Sequence, residues 1–202
     1  MSKLKVDQIS KASGASPATF TLPATDGSAG QYLKTDGSGA LSWGTPPDQK
    51  ITNASSWAQT ATQTGSKNPI TDDLALRTTA GQGNLGDAMT VSAGVFTFPS
   101  TGYWHIIARF TFNRAAGDSQ AGGFIKSTTN DGGAWTIVAG AYKSLDSVAT
   151  YGSTSASCIL DITDTSNNKV SFQTSHDNAG NTTNGNANGS NTSFTFIRLA
   201  DT

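Results

Sequence analysis

Apolar and polar positions alternate along most of this chain. After Gly102 the even positions Trp104, Ile106, Ala108, Phe110 and Phe112 are apolar, while His105, Arg109 and Thr111 fall between them. A period of two is that of a β-strand with one face on a core, so this stretch predicts a long half-buried strand with Tyr103, His105 and Ile107 on its outward side. Phe96 and Phe98 share a face before Pro99; Ala156, Cys158, Leu160 and Ile162 alternate with Ser157 and Asp161; Val170 and Phe172 lie on one side of a further strand. Between "GGFIKS" and "AWTIVAG", the run Asn130, Asp131, Gly132, Gly133 tolerates the positive φ of a tight hairpin. From Lys50 onward the series predicts an all-β fold, an antiparallel sandwich of about 8–10 strands arranged as a jelly roll.

The closing strand breaks the alternation. In "TSFTFIRLADT", Phe194 and Phe196 face one way and Ile197 and Leu199 the other. A strand apolar on both faces is covered on both. In a chain without helices the second cover is expected to be another copy, meeting this one through Tyr103, His105, Ile107, Ile197 and Leu199.

Residues 1–48 are patterned differently. Short extended pieces, "KVDQIS" and "ATFTLP", precede two Thr-Asp-Gly-Ser turns at residues 25–28 and 35–38. Steps this short bury no core within one chain and do not offset their own ordering entropy. Val6, Ile9, Phe20, Leu22, Tyr32, Leu33, Leu41 and Trp43 are therefore expected to pair across copies as a collar and to anchor to a larger partner. Trp43 in particular is expected against the base of the following domain or a neighbouring subunit. Pro46, Pro47 and Asp48 stiffen the exit and forbid a continuing ladder, which divides an arm, 1–48, from a head, 49–202.

Composition narrows the class. All 14 acidic residues are Asp, and charged residues make up 13% of the chain; helices lack their usual exposed formers, and turns and strands are favoured. A net charge of −1 without Lys or Arg clusters offers no field for nucleic acid or an anionic membrane. "MSKLKVDQIS" lacks the apolar run of a signal peptide, and no stretch approaches the roughly 18 apolar residues that cross a bilayer. The protein is expected to be made in a cytoplasm, without membrane insertion. A lone Cys158 forms no internal disulfide, so added stability is expected from assembly.

The text beginning at Gly94, "GVFTFPSTGYWHIIARFTFN", resembles the signature of the tumour necrosis factor and complement one-q superfamily, in which "G-x-F-x-x-P-x-x-G-x-Y-x-F" recurs. "SCILDITDTSNNKVSFQ" resembles that family's penultimate strand pair and "SFTFIRLAD" its closing strand, so the resemblance covers about residues 50–202. Where the family often has Gly-Asp before the strand starting at Val170, this chain has Asn167, Asn168 and Lys169, and no calcium site is carried over. The resemblance implies a ten-strand jelly roll forming compact homotrimers through one sheet, with both termini at the base.

The arm is similar to a different set of proteins. Gly27 to Trp43 follow "G-x-x-G-Q-x-L-x-T-D-G-x-G-x-L-x-W", a pattern of the amino-terminal regions of bacteriophage fibre and other virion proteins, cyanophage ones especially. This implies a virion protein: a short trimeric fibre whose arm anchors to other virion proteins and whose head is displayed outward to bind a host-surface glycan or protein. A capsid decoration or head-fibre role is the alternative, and a glycan depolymerase the second. A secreted complement-like or cytokine-like ligand is opposed by the missing signal peptide and the missing Gly-x-y period.

No catalytic residue, metal or cofactor is expected. A glycan hydrolase needs two carboxylates converging across a cleft, one with a raised pKa. Asp161 with Asp164 is the best-spaced pair, yet turn capping explains each; the adjacent Asp72 and Asp73 point to opposite faces of a strand. Cys158, on the inward phase, reads as a buried, inert thiol. His105 and His176 are too few for a metal within one chain, although either is tripled around a threefold axis. The stretch "HDNAGNTTNGNANGSN", 176–191, is placed by antiparallel parity at the end opposite the C-terminus. Its side chains His176, Asp177, Asn178, Asn181, Asn184, Asn186 and Asn188 suit hydrogen bonding to sugar hydroxyls, while its composition also describes a plain solvated loop.

Overall fold

The computed structural model describes residues 6–10, 19–46, 51–71, 73–78, 81–114, 120–145 and 151–202. The chain divides into two compact units, 1–49 and 50–202. Among the described residues every regular element is a strand.

In the arm, β1 (Gln8–Ser10) pairs with β2 (Thr19–Thr21), and β3 (Tyr32–Thr35) with β4 (Leu41–Gly44), both antiparallel. The two Thr-Asp-Gly-Ser turns serve different ends. The second closes the β3–β4 hairpin: Asp36 Oδ1 accepts from the amides of Ser38 and Ala40 at 2.8 and 3.1 Å, and Thr35 Oγ1 from that of Gly37 at 3.1 Å, as Asx and Thr turns do. The first lies beneath Trp43, whose Nε1 donates to the Thr25 carbonyl at 2.7 Å. A Cβ on Gly27 would stand 2.5 Å from the indole, so only glycine lets the backbone pass there. Trp43 is thus seated on this turn within the arm and keeps 36% of its surface exposed. Val6, Ile9, Phe20, Tyr32, Leu33 and Trp43 are exposed, and Leu22 and Leu41 half-buried.

The head comprises β5 (Ala54–Gln59), β6 (Gln63–Thr64), β7 (Leu74–Leu76), β8 (Thr90–Ser92), β9 (Val95–Thr97), β10 (Gly102–Asn113), β11 (Gln120–Thr128), β12 (Thr136–Ser144), β13 (Tyr151–Ile162), β14 (Lys169–His176), β15 (Thr182–Thr183) and β16 (Ser193–Ala200). One sheet runs β7-β5-β16-β10-β13, with the short β6-β15 pair joined at the Phe112 end of β10. The other runs β8-β9-β14-β11-β12, and every ladder is antiparallel. Two five-stranded sheets face to face make the expected jelly-roll sandwich, and the β6-β15 pair is an addition to it.

The inward faces meet in an aromatic core. Trp104, Ile106, Phe110, Phe112, Phe194 and Phe196 of one sheet and Phe96, Ile125, Val170 and Phe172 of the other are almost fully buried; each such side chain contributes roughly 1.5–3 kcal/mol by leaving water. Phe172 and Phe194 stack across the sandwich with centroids 3.7 Å apart, and Phe96 meets Trp57 and Phe172 edge-on at 5.5 Å. Gly123 of β11 lies under Phe110, where a Cβ would be 2.1 Å from the ring; the missing side chain is what makes room for that ring. The Asn130–Gly133 run turns within a loop over residues 129–135 rather than a tight hairpin, with Asp131 and Gly132 at φ of 53° and 92°.

Register orients the head. Tyr103 pairs with Ala200 and Ile197 with Ala54 at one end, whereas Phe112 pairs with Thr183 at the other. Residues 51–53 and 200–202 therefore share one end, and the 176–191 loop occupies the opposite one. Arg198 fastens the shared end, its Nε donating to the Thr101 carbonyl at 2.8 Å, its Nη1 to Thr52 Oγ1 at 3.3 Å, and its Nη2 pairing with Asp201.

Candidate interaction surfaces

β10 lies between β13 and β16, so register builds rows across the outward face of its sheet. Ile159, His105 and Ile197 form one row; Ser157, Ile107 and Thr195 the next; Asp161, Tyr103 and Ala200 the one at the base. Their sequence neighbours Trp104, Ile106 and Phe196 are buried in the core, which sends this set outward. Ile159 is 60% exposed, Leu199 43% and Tyr103 41%, while His105, Ile107 and Ile197 are half-buried. The five residues assigned to an interface thus share one side of one sheet. Alternation carries Leu199 there from Ile197; the register then slips between Tyr103 and Trp104, which pair with Ala200 and Arg198, and leaves Leu199 as the extra residue of a bulge. Ile159, absent from the sequence reading, belongs to the same patch; only its pairing with His105 reveals it. Beyond Ile107 the face turns small and hydroxylated, with Ser153, Ser155 and Ser157 exposed beside Arg109.

At the far end the 176–191 loop is built around a buried arginine. Arg77, after β7, is only 5% exposed. Its Nη1 donates to the Ala187 carbonyl at 2.7 Å and its Nη2 to Asn186 at 2.7 Å and to Gly189. Gln59 Nε2 donates to the Thr183 carbonyl at 3.2 Å, the Asn186 amide donates to the Gln59 carbonyl at 2.9 Å, and the Asn184 amide to that of Thr111 at 2.7 Å. Charge-assisted bonds to backbone carbonyls are among the stronger kind, so this loop is held, not merely solvated.

The seven recognition candidates divide accordingly. Asn181 is fully buried and accepts from the Gly65 amide at 2.8 Å through its carbonyl. His176 turns inward, its Nε2 3.1 Å from Thr183 Oγ1 and its ring edge-on to Phe112 at 5.3 Å; burial pushes its pKa down, against the upward pull of Asp177. Both brace the loop, and Asn181, fully buried, presents nothing to a ligand, a correction to the sequence reading; His176 is half-buried. Asn178 and Asn186 spend Oδ1 on the amides of Gly180 and Asn188, each at 2.8 Å, and Asn184 Oδ1 accepts from Thr62 Oγ1 at 2.9 Å. Asp177, Asn186 and Asn188 are the exposed members. Arg77 and Gln59, which organise the loop, lie more than a hundred residues earlier in the sequence, where no local pattern announces them.

The remaining chemical candidates are structural. Cys158 is half-buried, and burial pushes its thiol up to about 11, which keeps it protonated at neutral pH. Asp164 accepts from the Ser166 amide at 2.7 Å and from Asn167 Nδ2 at 2.7 Å; these bonds hold it below the usual carboxylate range, the opposite of what a general acid needs. Asp161 sits exposed in the ladder opposite Tyr103, and Asp72 lies outside the described residues. Among the described residues no three His, Cys or Asp side chains gather as a metal site.

No protein-family model matches the sequence, and no curated protein matches it. Solved structures do. Murine APRIL matches with a TM-score of 0.53 and 9% identity over 73% of this chain and 98% of that one. Eiger TNF from S. frugiperda matches with a TM-score of 0.53 and 10% identity over 76% and 96%. At such identities the likeness is one of fold, and the fold is a tumour necrosis factor-like jelly roll.

Proposed function

We propose that this protein is a homotrimeric virion fibre: three jelly rolls close on the outward face of the β10 sheet, the arms interlock and anchor to other virion proteins, and the heads are turned outward to bind a host-surface glycan or protein. The observation that carries the trimer is the apolar patch of Tyr103, Ile107, Ile159, Ile197 and Leu199 around His105, aligned by register and open in a single chain. Contiguous apolar patches of this kind mark interaction sites. A second apolar surface, Ile137, Val138 and Tyr142 on the edge strand β12, is also exposed. Face against edge is a heterologous contact, which closes into a ring when the rotation allows. The arm supports the same reading, since its exposed strands gain order from pairing outside one chain. Placement on a virion rests on the Gly27–Trp43 pattern. Three heads on one particle make individually weak contacts effective together.

Sedimentation of the purified chain at micromolar concentration is expected to give a trimer, and Ile107→Asp with Ile197→Asp a folded monomer of unchanged β-sheet signal. A monomeric parent overturns the trimer. Gold-labelled protein imaged on particles at a tail or fibre tip supports the host-binding fibre; label spread over the capsid gives the decoration role instead, and unlabelled particles remove the protein from the virion.

A further inference from the structure

A groove lies on the outward face of the other sheet. Register sets Val95 of β9, Ser171 of β14 and Lys126 of β11 side by side as its floor; Asn68 and Pro69 form one wall and Trp135 the other, around a volume of about 290 Å³. Three of its features suit a ligand. Ser171 is only 2% exposed; its neighbours Val170 and Phe172 are buried in the core, so its hydroxyl lies on the groove side of the strand. The half-buried Lys126 ammonium is held between Asn68 Oδ1 at 2.9 Å and the Trp135 ring, 5.9 Å from its centroid, with no carboxylate among the residues lining the groove. The register of β11 against β12 slips between Ile125 and Lys126, and bulges re-aim side chains beside binding sites.

We propose that this groove binds one sugar unit carrying a carboxylate, a uronic acid. The carboxylate takes a free donor of Lys126, a charge-assisted bond. The sugar's C–H face packs on the indole, whose π face is negative. Ring hydroxyls hydrogen-bond the Ser171 hydroxyl and the Asn68 amide. The volume is at the lower limit of small-ligand pockets, about 300 Å³, and suits a single unit. The site deepens the host-surface reading only in naming the sugar's source; its chemistry stands without a virion.

The test titrates the purified full chain with glucuronate and with glucose, following the Trp135 indole N–H resonance, assigned with Trp135→Phe. Glucuronate is expected to shift it saturably and glucose about tenfold more weakly. Lys126→Met is expected to abolish that preference, and Ser171→Val to weaken glucuronate about tenfold with the remaining spectrum unchanged. An unmoved Trp135 resonance, or a preference for glucuronate that survives Lys126→Met, overturns the proposal. Particles carrying Ser171→Val that attach normally, while the purified variant has lost glucuronate, overturn the role in host attachment and leave the sugar site standing.

Discussion

The arm and the 176–191 loop are built from the same kinds of residue, rich in Gly, Ser, Thr and Asn, and short of large apolar side chains. The arm forms two small hairpins whose side chains are almost all exposed. The loop contains a fully buried asparagine and closes over a buried arginine. Composition does not separate the two. What separates them is an anchor supplied from elsewhere in the chain: the loop borrows Arg77 and Gln59 from the rest of the head, while the described arm is tied by its own backbone pairing and by the Trp43 indole over Gly27. A low-complexity segment is ordered by what reaches into it.

The largest effect comes from removing the support on which the loop depends. Phe194→Ala, at the centre of the aromatic stack, is expected to cost the head about 3–5 kcal/mol, read as a lower urea midpoint, with loop and core lost together. Next is Arg77→Met, which strips three carbonyls of their donors and is expected to cost about 3 kcal/mol. Proteolysis is then expected to nick between residues 177 and 191 while the β-sheet signal persists; a loop as resistant as the parent's would make the arginine irrelevant to its order.

Acid gives a smaller effect at the same site. Burial lowers the His176 pKa, so the folded state prefers the neutral ring. Its contribution is complete above the ordinary histidine value of 6.5 and is lost as pH falls through the lower folded value. Amide exchange in the 181–185 segment is expected to quicken on acidification from about pH 7 to about pH 5, and the increment to vanish in His176→Gln. The smallest effect on the head, and the one that isolates the other half of the comparison, is Gly27→Ala. Its new Cβ displaces the Trp43 indole, which is expected to blue-quench or shift that tryptophan's fluorescence and leave the head's melting temperature unchanged. A lowered head melting temperature would mean the two segments share their support.

The core was legible because β10 is long and one-sided: Trp104 through Phe112 announce their phase without help. The outward face was legible where alternation holds, at Tyr103, His105, Ile107 and Ile197. It failed at Ile159, in a strand whose small residues Ser, Ala and Cys carry little amphipathic signal. Asn181 was misjudged because polar residues look alike until a backbone closes over them. The sugar groove was invisible, since Asn68, Lys126, Trp135 and Ser171 come from four separated segments that only sheet register and a crossing loop bring together.

Residues 51–53 and 200–202 meet at one end of the head, pinned there by Arg198. A fold whose two ends lie side by side is a cassette. Recombination at those ends exchanges the loop end and the groove as one piece, with every ladder of the sandwich kept intact.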